Sequence, residues 1–346
     1  MGITIKQIAV IAKVSPATVS LALNNKPGIS TRTRKKILEI ADTLKQESEG
    51  RQVFPQVIKG SIRFLKIIKH GHVVNRDHDH FIAEYIDGID KEARRTGYNL
   101  EINTLMASEI KHIVKHLKTA NIEGVIILGT ELSCRDIKAF DGIRMPLVFI
   151  DTAFDIIKYD FVTMNNKVAI FELIKYLKNN NHRKIGFVGT NVEARNIHLR
   201  EKAYLQSLKY YDLPLNRKFI YTINSTFQAA YQDMADILKL ADELPTALLA
   251  ANDLIASACM KAFREVGIKV PDDISITGFD NLPMCEMLDP PLTTMDVSKQ
   301  QIGRQAMRII VDRINDNLND SIIKCHVGGK LIIRGSVKKI SKILVI

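Results

Sequence analysis

From Ile62 onward, short apolar runs alternate regularly with longer stretches of helical periodicity. A first series starts with "IRFLKII" and "FIAEYIDGIDKEARRTG" and closes with "GVIILG" and "PLVFID". A second series starts with "VAIFELIKYLKNNN" and "KIGFVG" and closes with "SITGFD". Strands that alternate with helices form parallel sheets covered by helices on both faces. The sequence therefore predicts an α/β body of two lobes, each a doubly wound parallel sheet.

Positive charge is concentrated ahead of this body. Residues 1–60 carry ten Lys and Arg against four Asp and Glu, whereas the remaining 286 residues carry 39 against 34. A short basic segment joined to a nearly balanced body is typical of a nucleic-acid reader attached to a second domain. The alternative is that the excess charge serves solubility alone.

The composition argues against a membrane protein and against a disulfide-bonded secreted protein. The 346 residues are 46% hydrophobic but contain no apolar run of membrane-spanning length, and Lys6 and Lys13 interrupt the opening segment. The four cysteines form no C-x-x-C pair, so we expect them to be reduced and to hold no zinc. We predict a cytoplasmic protein with no metal, no cofactor and no membrane partner, associated with the nucleoid when it is bound to DNA.

Three helices are predicted in the first 46 residues. A capping box at Thr4 predicts a helix over residues 5–12, and the N-cap Ser15 predicts a second helix over residues 16–23. A third helix follows the break at "NNKPG". This order fits a helix-turn-helix unit whose second helix enters the major groove, although a three-helix core with a solvated basic face is the alternative. The apolar face of the third helix is predicted from Ile37, Leu38, Ala41 and Leu44.

Small and hydroxylated residues on the second helix suit a close approach to base edges. Their hydroxyl and amide groups can bond phosphates, and Ala17 can contact a thymine methyl group. Basic residues at the start of the third helix can contact the DNA backbone. The candidate phosphate ligands are Ser15, Thr18, Ser20, Asn24, Arg32, Arg34, Lys35 and Lys36.

The segment "ITIKQIAVIAKVSPATVSLALNNKPGISTRTRKKILEIADTL" resembles the DNA-binding headpiece of the lactose-repressor (LacI/GalR) family. In that family the recognition helix reads bases from positions that match Pro16, Ala17 and Leu21. Lys13 replaces the usual turn glycine, and Leu21 stands where an arginine often contacts guanine. The resemblance implies binding to double-stranded operator DNA, with readout shifted toward apolar and water-mediated contacts. Thr4 is included among the DNA-binding candidates.

Residues 47–61 are predicted to link the headpiece to the body. The stretch "KQESEGRQVFPQVIKGS" is polar at first and contains Pro55 and Gly60. The family has a short hinge helix here, which inserts an apolar side chain into the minor groove, but its sequence pattern is missing. Pro55 could start such a helix and present Val57 or Ile58 as the wedge. A flexible linker without DNA insertion is the alternative.

Three strands of the body end in polar residues: "FID" at 149–151, "AAND" at 250–253 and "GFDN" at 278–281. Ligands of open parallel sheets bind at the carboxyl ends of strands, so these residues predict a cleft. The stretch from Phe64 to Val337 also resembles the family's sensor domain, which is similar to periplasmic sugar-binding proteins. Its most specific blocks are "VPDDISITGFDN", "PPLTTMDVSKQQIG" and "LIIRGSV".

The resemblance implies a set of effector-binding residues. Arg200 offers a fork of donors, and the carboxylates can accept from ring hydroxyls, so a sugar or similar polyol is favoured. Any one of these residues alone could instead be a structural cap or an ion-pair partner. Phe81 could stack on a sugar face or be a simple core residue. The implied effector residues are Phe81, Asp151, Arg200, Asn252, Asp253 and Asp280.

Other functions lack their signatures. The loop "HGHVVNRDHDHF" at 70–81 is rich in His and Asp, but it lacks metal-ligand spacing and is interpreted as a polar loop. No G-x-G-x-x-G, G-x-x-x-x-G-K-[ST] or G-x-S-x-G motif is present. A free-standing binding protein would leave the basic headpiece unexplained. A sugar-metabolising α/β enzyme is the alternative to a ligand-responsive repressor that binds DNA as a homodimer.

The predicted organisation has four parts. A DNA-binding domain covers residues 1–46, and the linker at 47–61 joins it to the effector-binding and dimerisation body at 62–337. A tail at 338–346 is expected to be frayed or packed on the body. Within the body, the first lobe is predicted at 62–152 and 291–322, and the second at 161–288 and 323–337.

Overall fold

The protein is represented by a computed structural model, which describes residues 5–24, 26–48, 58–106 and 109–341. Within these ranges, the side chains of residue 6 and residues 42–48 are not described. The chain divides into two compact units, one formed mainly by residues 1–59 and the other mainly by residues 60–346.

In the described part of residues 1–59, the first unit contains three helices, α1 Ile5–Ala12, α2 Pro16–Leu23 and α3 Thr31–Ser48. The bounds of α1 and α2 confirm the predicted ones. Ser15 Oγ accepts a hydrogen bond from the backbone N–H of Thr18 at 3.2 Å, which caps α2 as its sequence indicates. The three helices share a small apolar core of Ile8, Ala9, Ala12, Val19, Ala22 and Ile37.

One predicted core position of α3 is wrong. Leu38 is 44% exposed, whereas Ile37 is fully buried and Ile40 packs against the core. Successive helical residues are rotated by about 100°. Ile37, Ile40 and Ala41 therefore lie on one face of α3, and Leu38 lies outside that face. The predicted contribution of the Leu44 side chain lies outside the described residues.

The turn between α1 and α2 holds Lys13 in the left-handed region, with φ at 56°. The backbone N–H groups of Lys13 and Val14 donate to Val10 O and Ala9 O at 3.3 and 3.1 Å, which closes α1. A Cβ atom in this region costs about 1–2 kcal/mol. This turn therefore favours glycine, and Lys13 carries backbone strain. It is the position at which the headpiece sequence differs from the turn glycine usual in the family that it resembles.

The second unit contains a six-stranded sheet, the first sheet. Its strands are β1 Ser61–Ile68, β2 Asn99–Met106, β3 Gly124–Leu128, β4 Leu147–Ile150, β5 Asp160–Met164 and β11 Lys324–Val327. Their order is β11-β5-β4-β3-β1-β2, and every neighbouring pair is parallel. The accompanying helices are α4 Asp79–Thr96, α5 Ile110–Lys118, α6 Cys134–Lys138 and α12 Lys299–Ile314.

The second sheet has four parallel strands, β6 Ile185–Thr190, β7 Ile220–Ile223, β8 Ala247–Ala250 and β9 Ser275–Thr277. Their order is β7-β6-β8-β9. Its helices are α7 Asn166–Asn179, α8 Arg195–Tyr210, α9 Phe227–Leu240, α10 Asp253–Glu265 and α11 Met284–Met287. The strands β10 Thr294–Asp296 and β12 Lys330–Ile332 form a separate antiparallel pair. The α/β architecture with two parallel sheets is thus as predicted.

The division of the body into lobes differs from the predicted one. Residues 161–164 and 323–327 were assigned to the second lobe, but β5 and β11 extend the first sheet. Asp160 holds this edge together, because its carboxylate pairs with Arg313 at 2.7 Å and accepts from the backbone N–H of Ile323 at 2.8 Å. Strand periodicity reveals that a segment is a strand but not which sheet completes its backbone hydrogen bonds.

The start of the tail packs on the second lobe. The backbone N–H of Ile340 donates to Asn180 O at 3.0 Å, and the ring of His182 bonds Lys338 O at 3.0 Å. Of the two predicted alternatives, residues 338–340 are therefore packed on the body. Residues 342–346 lie outside the described part of the chain.

Candidate effector and nucleic-acid sites

Five of the six predicted effector residues line one cavity, the inner cavity, in the second unit. Asp151 follows β4 of the first sheet, while Asn252 and Asp280 follow β8 and β9 of the second. The carboxyl ends of the two sheets therefore meet at the predicted place. The lining comprises Val73, Val74, His78, Phe81, Ile82, Thr130, Asp151, Ala194, Asn196, Ile197, Arg200, Asn252 and Asp280.

The inner cavity is small. Its volume is about 40 Å³, which is room for roughly three water molecules and too little for a sugar ring. A cavity of about 600 Å³, the outer cavity, adjoins it, because Ala194 and Ile197 line both. A volume of that size lies within the range of small-molecule sites. An effector that enters the inner cavity must therefore displace contacts between the two lobes.

Arg200 is 4% exposed and already bonded on every side. Its Nε donates to Asn166 Oδ1 at 2.9 Å and one terminal nitrogen donates to Ala251 O at 2.6 Å. The other contacts Asp280 Oδ1 at 3.3 Å and the sulfur of Met164 at 3.0 Å. The guanidinium also lies 3.7 Å from the centre of the Phe279 ring. Arg200 therefore organises the second-lobe wall before any ligand arrives.

Asp151 is the centre of a contact between the lobes. The Tyr85 hydroxyl donates to Asp151 Oδ1 at 2.9 Å, and Thr130 Oγ1 donates to Oδ2. From α8 of the second lobe, Asn196 Nδ2 donates to Asp151 O at 2.8 Å and to Oδ1 at 2.9 Å. Burial raises the pKa of Asp151, and these donors act against the rise. No sequence motif marks Tyr85, Thr130 or Asn196, because Tyr85 and Asn196 are interior residues of helices and Thr130 lies in the turn after β3.

Asp253 does not line the inner cavity, so its role as an effector residue remains a prediction. Its side chain is fully buried, accepts from the backbone N–H of Leu282 at 2.8 Å and accepts from Thr294 Oγ1. Burial, together with the nearby Asp280 carboxylate, raises the pKa of Asp253 to about 7. Asn252 is the N-cap of α10 and lines the cavity, whereas Asp253 is the first residue of the helix and bonds Leu282 and Thr294.

Phe81 is a buried core residue that also lines the inner cavity, and its stacking on a sugar face stays a prediction. It is 7% exposed and packs edge to face on Tyr85, with 5.0 Å between ring centroids. Asp280 lies opposite, with φ at 107° and with its pKa raised by burial, although Arg200 and Lys299 oppose that rise. A ring-shaped ligand would thus contact an aromatic wall on one side and a carboxylate on the other.

Glu131 fixes the loop that covers the inner cavity. Its two carboxylate oxygens accept five backbone N–H groups at 2.8–3.1 Å, from Lys69, His70, Gly71, Val73 and Val74. Burial acts to raise the pKa of Glu131, but the backbone donors outweigh it and the pKa is lowered. The histidine-rich loop is thus held as a cover of the cavity. Among the described residues, no group of three or more His, Cys, Asp and Glu is placed to hold a metal ion.

The predicted base-reading side of α2 is accessible. Pro16 and Ala17 are exposed, and Leu21 is half-buried. Asn24, by contrast, is engaged locally, because its Nδ2 donates to Ser20 O at 3.0 Å. The Ser15 and Thr18 hydroxyls bond each other at 2.8 Å. Thr4 and Val57 lie outside the described residues, and Ile58 is 61% exposed.

The basic residues of α3 fall into two classes. Arg34 donates to Leu21 O and Ala22 O at 3.1 and 3.2 Å and also to Lys26 O, so it bonds the last carbonyl groups of α2 and the loop behind it. Lys36 donates to Ala12 O, the last carbonyl of α1, at 3.3 Å. Arg32 and Lys35 are exposed. Arg34 and Lys36 therefore stabilise the helix arrangement, while Arg32 and Lys35 remain candidate phosphate ligands.

Comparisons with known proteins agree with this two-part organisation. Residues 4–45 match the model of bacterial regulatory proteins, lacI family, and residues 174–337 match a periplasmic binding protein-like domain. The chain is 29% identical to the HTH-type transcriptional repressor CytR of Escherichia coli strain K12, over 97% of this chain and 96% of that protein. None of the helices in the described ranges is long and apolar enough to cross a membrane.

Solved structures share the fold. A transcriptional regulator CelR–cellobiose complex aligns with a TM-score of 0.70 at 19% identity, over 97% of this chain and 100% of that one. The lac repressor dimer bound to operator and the anti-inducer ONPF also aligns with a TM-score of 0.70, at 20% identity over 98% of this chain and 100% of that one. Each alignment therefore covers almost the whole of this chain and of the solved structure.

Proposed function

This chain belongs to the lacI family of bacterial regulatory proteins, and we propose that its effector is a carbohydrate or similarly hydroxyl-rich molecule. It is a DNA-binding transcriptional repressor that responds to a ligand. The observation that supports a polyol is the inner cavity, where Arg200, Asn252 and Asp280 of one lobe face Asp151 and Phe81 of the other. Carboxylate, amide and guanidinium groups beside an aromatic ring suit a ring with hydroxyls on its edge and C–H groups on its face.

The proposed site has unused bonding capacity on its second-lobe wall. Asp280 Oδ1 accepts from Arg200, but among the described residues no donor reaches Asp280 Oδ2. Asn252 Oδ1 accepts from the backbone N–H of Ile255 at 2.9 Å, while Asn252 Nδ2 has no acceptor in the described ranges. An effector hydroxyl can donate to the free Asp280 oxygen and accept from the Asn252 amide. A hydroxyl group can serve both sites at once, because it donates one hydrogen bond and accepts others.

Effector binding and operator binding are coupled in this proposal. The Asn196–Asp151 hydrogen bonds join the lobes beside a cavity of about 40 Å³, so an effector that fills the cavity favours a different separation of the lobes. By linkage, effector and operator change each other's affinity by the same factor. We place the headpiece at residues 1–46, the linker at 47–61 and the body at 62–337. The protein acts in the cytoplasm as a homodimer on a partly palindromic operator, whose two half-sites match the two headpieces.

The proposal is tested by a thermal-shift screen of the full chain with D-glucose, D-ribose and cellobiose, combined with duplex binding by fluorescence anisotropy. A sugar that binds only the native state raises the melting temperature. Asp280→Asn retains the oxygen that Arg200 contacts but removes the second carboxylate oxygen, so it should lose the sugar-induced shift and keep operator binding. Asp155→Asn, at an exposed position, is the matched control. A variant that loses operator binding while retaining the sugar shift would contradict this assignment.

A further inference from the structure

His78 brings to the inner cavity a polar atom that neither the fold nor the contacts between the lobes use. It follows Arg76 and Asp77 in a 3₁₀ turn, just before α4, and only 7% of its surface is exposed. Its Nε2 is buried and has no hydrogen-bond partner among the described residues. A buried polar atom without a partner is costly, unless a ligand supplies the missing bond.

The neighbouring Asn75 determines which ring nitrogen of His78 carries the proton. Asn75 Nδ2 donates to His72 O at 3.0 Å and to Gly71 O at 3.3 Å, and Asn75 Oδ1 accepts from the backbone N–H of Asp77 at 3.0 Å. These bonds fix the orientation of the amide, so the atom 3.2 Å from His78 Nδ1 is an oxygen. Because an amide oxygen only accepts, His78 Nδ1 must donate.

It follows that His78 Nε2 presents a lone pair. Burial lowers the pKa of His78, against the opposing charges of Asp280 and Asp77, so the ring is neutral near pH 7. A neutral imidazole protonated on Nδ1 is an acceptor at Nε2. The polar side chains of the first-lobe wall are otherwise occupied, since Thr130 donates to Asp151 and Asp151 accepts from Tyr85 and Asn196.

We infer that His78 is a specificity-determining residue of the effector site, whose Nε2 accepts a hydrogen bond from an O–H or N–H group of the bound ring. This inference rests on the proposed function, because it assumes that the inner cavity takes the effector. The effector then donates to His78 on the first lobe and to Asp280 on the second. Such a ligand is a neutral ring with donors on opposite edges, and it packs against Val73, Val74 and Ile82.

The test uses the full chain and three variants. His78→Leu removes the acceptor at similar volume, and His78→Gln restores an acceptor oxygen near the position of Nε2. His80→Gln changes an exposed histidine two residues along and is the control. The probes are D-glucose, D-ribose, cellobiose, adenosine and uridine, at up to millimolar concentration, with affinity measured by titration calorimetry. His78→Leu should weaken binding of the active probe roughly tenfold or more, while His78→Gln and His80→Gln stay within about threefold of wild type.

A second measurement needs no ligand. With ¹⁵N-labelled histidine, the ring signals of His78, assigned by their loss in His78→Gln, should show a protonated Nδ1 and an unprotonated Nε2 at pH 7. A protonated Nε2 would overturn the inference. Operator binding without effector should be equal in all four proteins, and a loss in His78→Leu would mean that the residue is structural.

The outcomes separate the two proposals. If a sugar binds wild type and His78→Leu equally, the role of His78 is refuted and the carbohydrate effector stands. If only a nucleoside binds and His78→Leu weakens it, the role of His78 is supported and the effector is a hydroxyl-rich molecule other than a free sugar. If none of the five compounds binds, the inferred class of neutral, donor-bearing rings is wrong.

Discussion

Arg34 of the helix-turn-helix unit and Arg200 of the inner cavity were both predicted as ligand contacts, and both also bond other groups of the protein. Arg34 is half-buried and donates only to carbonyl groups, those of Leu21, Ala22 and Lys26. Arg200 is almost fully buried and its partners include a carboxylate. Because a buried charge has lost its hydration, Arg200 depends on its partners far more than Arg34 does. The comparison indicates that the more deeply a charged residue is buried, the more the stability of the fold depends on its contacts within the protein.

The largest effect should come from Arg200→Ala. It leaves the Asp280 carboxylate buried without its cationic partner, which typically costs about 3–5 kcal/mol. Urea unfolding of the second unit should show this loss of stability, whereas Arg183→Ala, at an exposed position, should cost less than about 0.5 kcal/mol. Equal stability of Arg200→Ala and wild type would show that the buried network is not organised around this guanidinium.

The second-largest effect is a pH dependence of the unfolding free energy that arises from Asp253. Its pKa is about 7 in the folded chain against 3.8 as the ordinary value. The folded state therefore binds the proton more tightly, and this group lowers the stability as pH rises from about 4 to about 7, by a few kcal/mol at most. Asp253→Asn should flatten the slope of unfolding free energy against pH in that window. An unchanged slope would mean that Asp253 is ionised in the folded protein at neutral pH.

A smaller effect separates the two classes of basic residue in α3. Arg34→Ala should destabilise the first unit by about 1–2 kcal/mol, because it removes the bonds to the carbonyl end of α2. Arg32→Ala should leave stability unchanged but reduce the salt dependence of DNA binding by about one unit of slope. Melting curves and affinities at several salt concentrations check both. The reverse pattern would make Arg34 the phosphate ligand and Arg32 the structural residue.

The smallest effect is expected at Lys13. Lys13→Gly relieves the strain of a left-handed residue and should stabilise the first unit by about 0.5–1 kcal/mol, less than the full strain because glycine gains entropy when unfolded. Lys13→Ala keeps a Cβ atom at φ 56° and should give no such gain. Thermal unfolding of the two variants makes the comparison, and a gain in Lys13→Ala would point to the charge rather than to the backbone.

Much of the fold was readable from local pattern. The bounds of α1 and α2 follow from Ser15 and Pro16, since caps and apolar spacing act within one turn of helix. The alternation of strands and helices predicted the two parallel sheets. The polar residues Asp151, Asn252 and Asp280, each just after a predicted strand, predicted the position of the cavity. The expected minor-groove wedge remains a prediction, since Val57 lies outside the described residues.

The sequence by itself determined the elements, the three-helix unit and the place where the strand ends converge, because those depend on interactions between near neighbours along the chain. Only the tertiary structure decided that β5 and β11 join the first sheet and that Asp253 is buried outside the cavity lining. It also decided that His78 enters the cavity with a ring nitrogen that has no partner among the described residues. These features depend on partners far away in sequence, and hydrogen bonds between distant segments leave no periodic trace in the residues that form them.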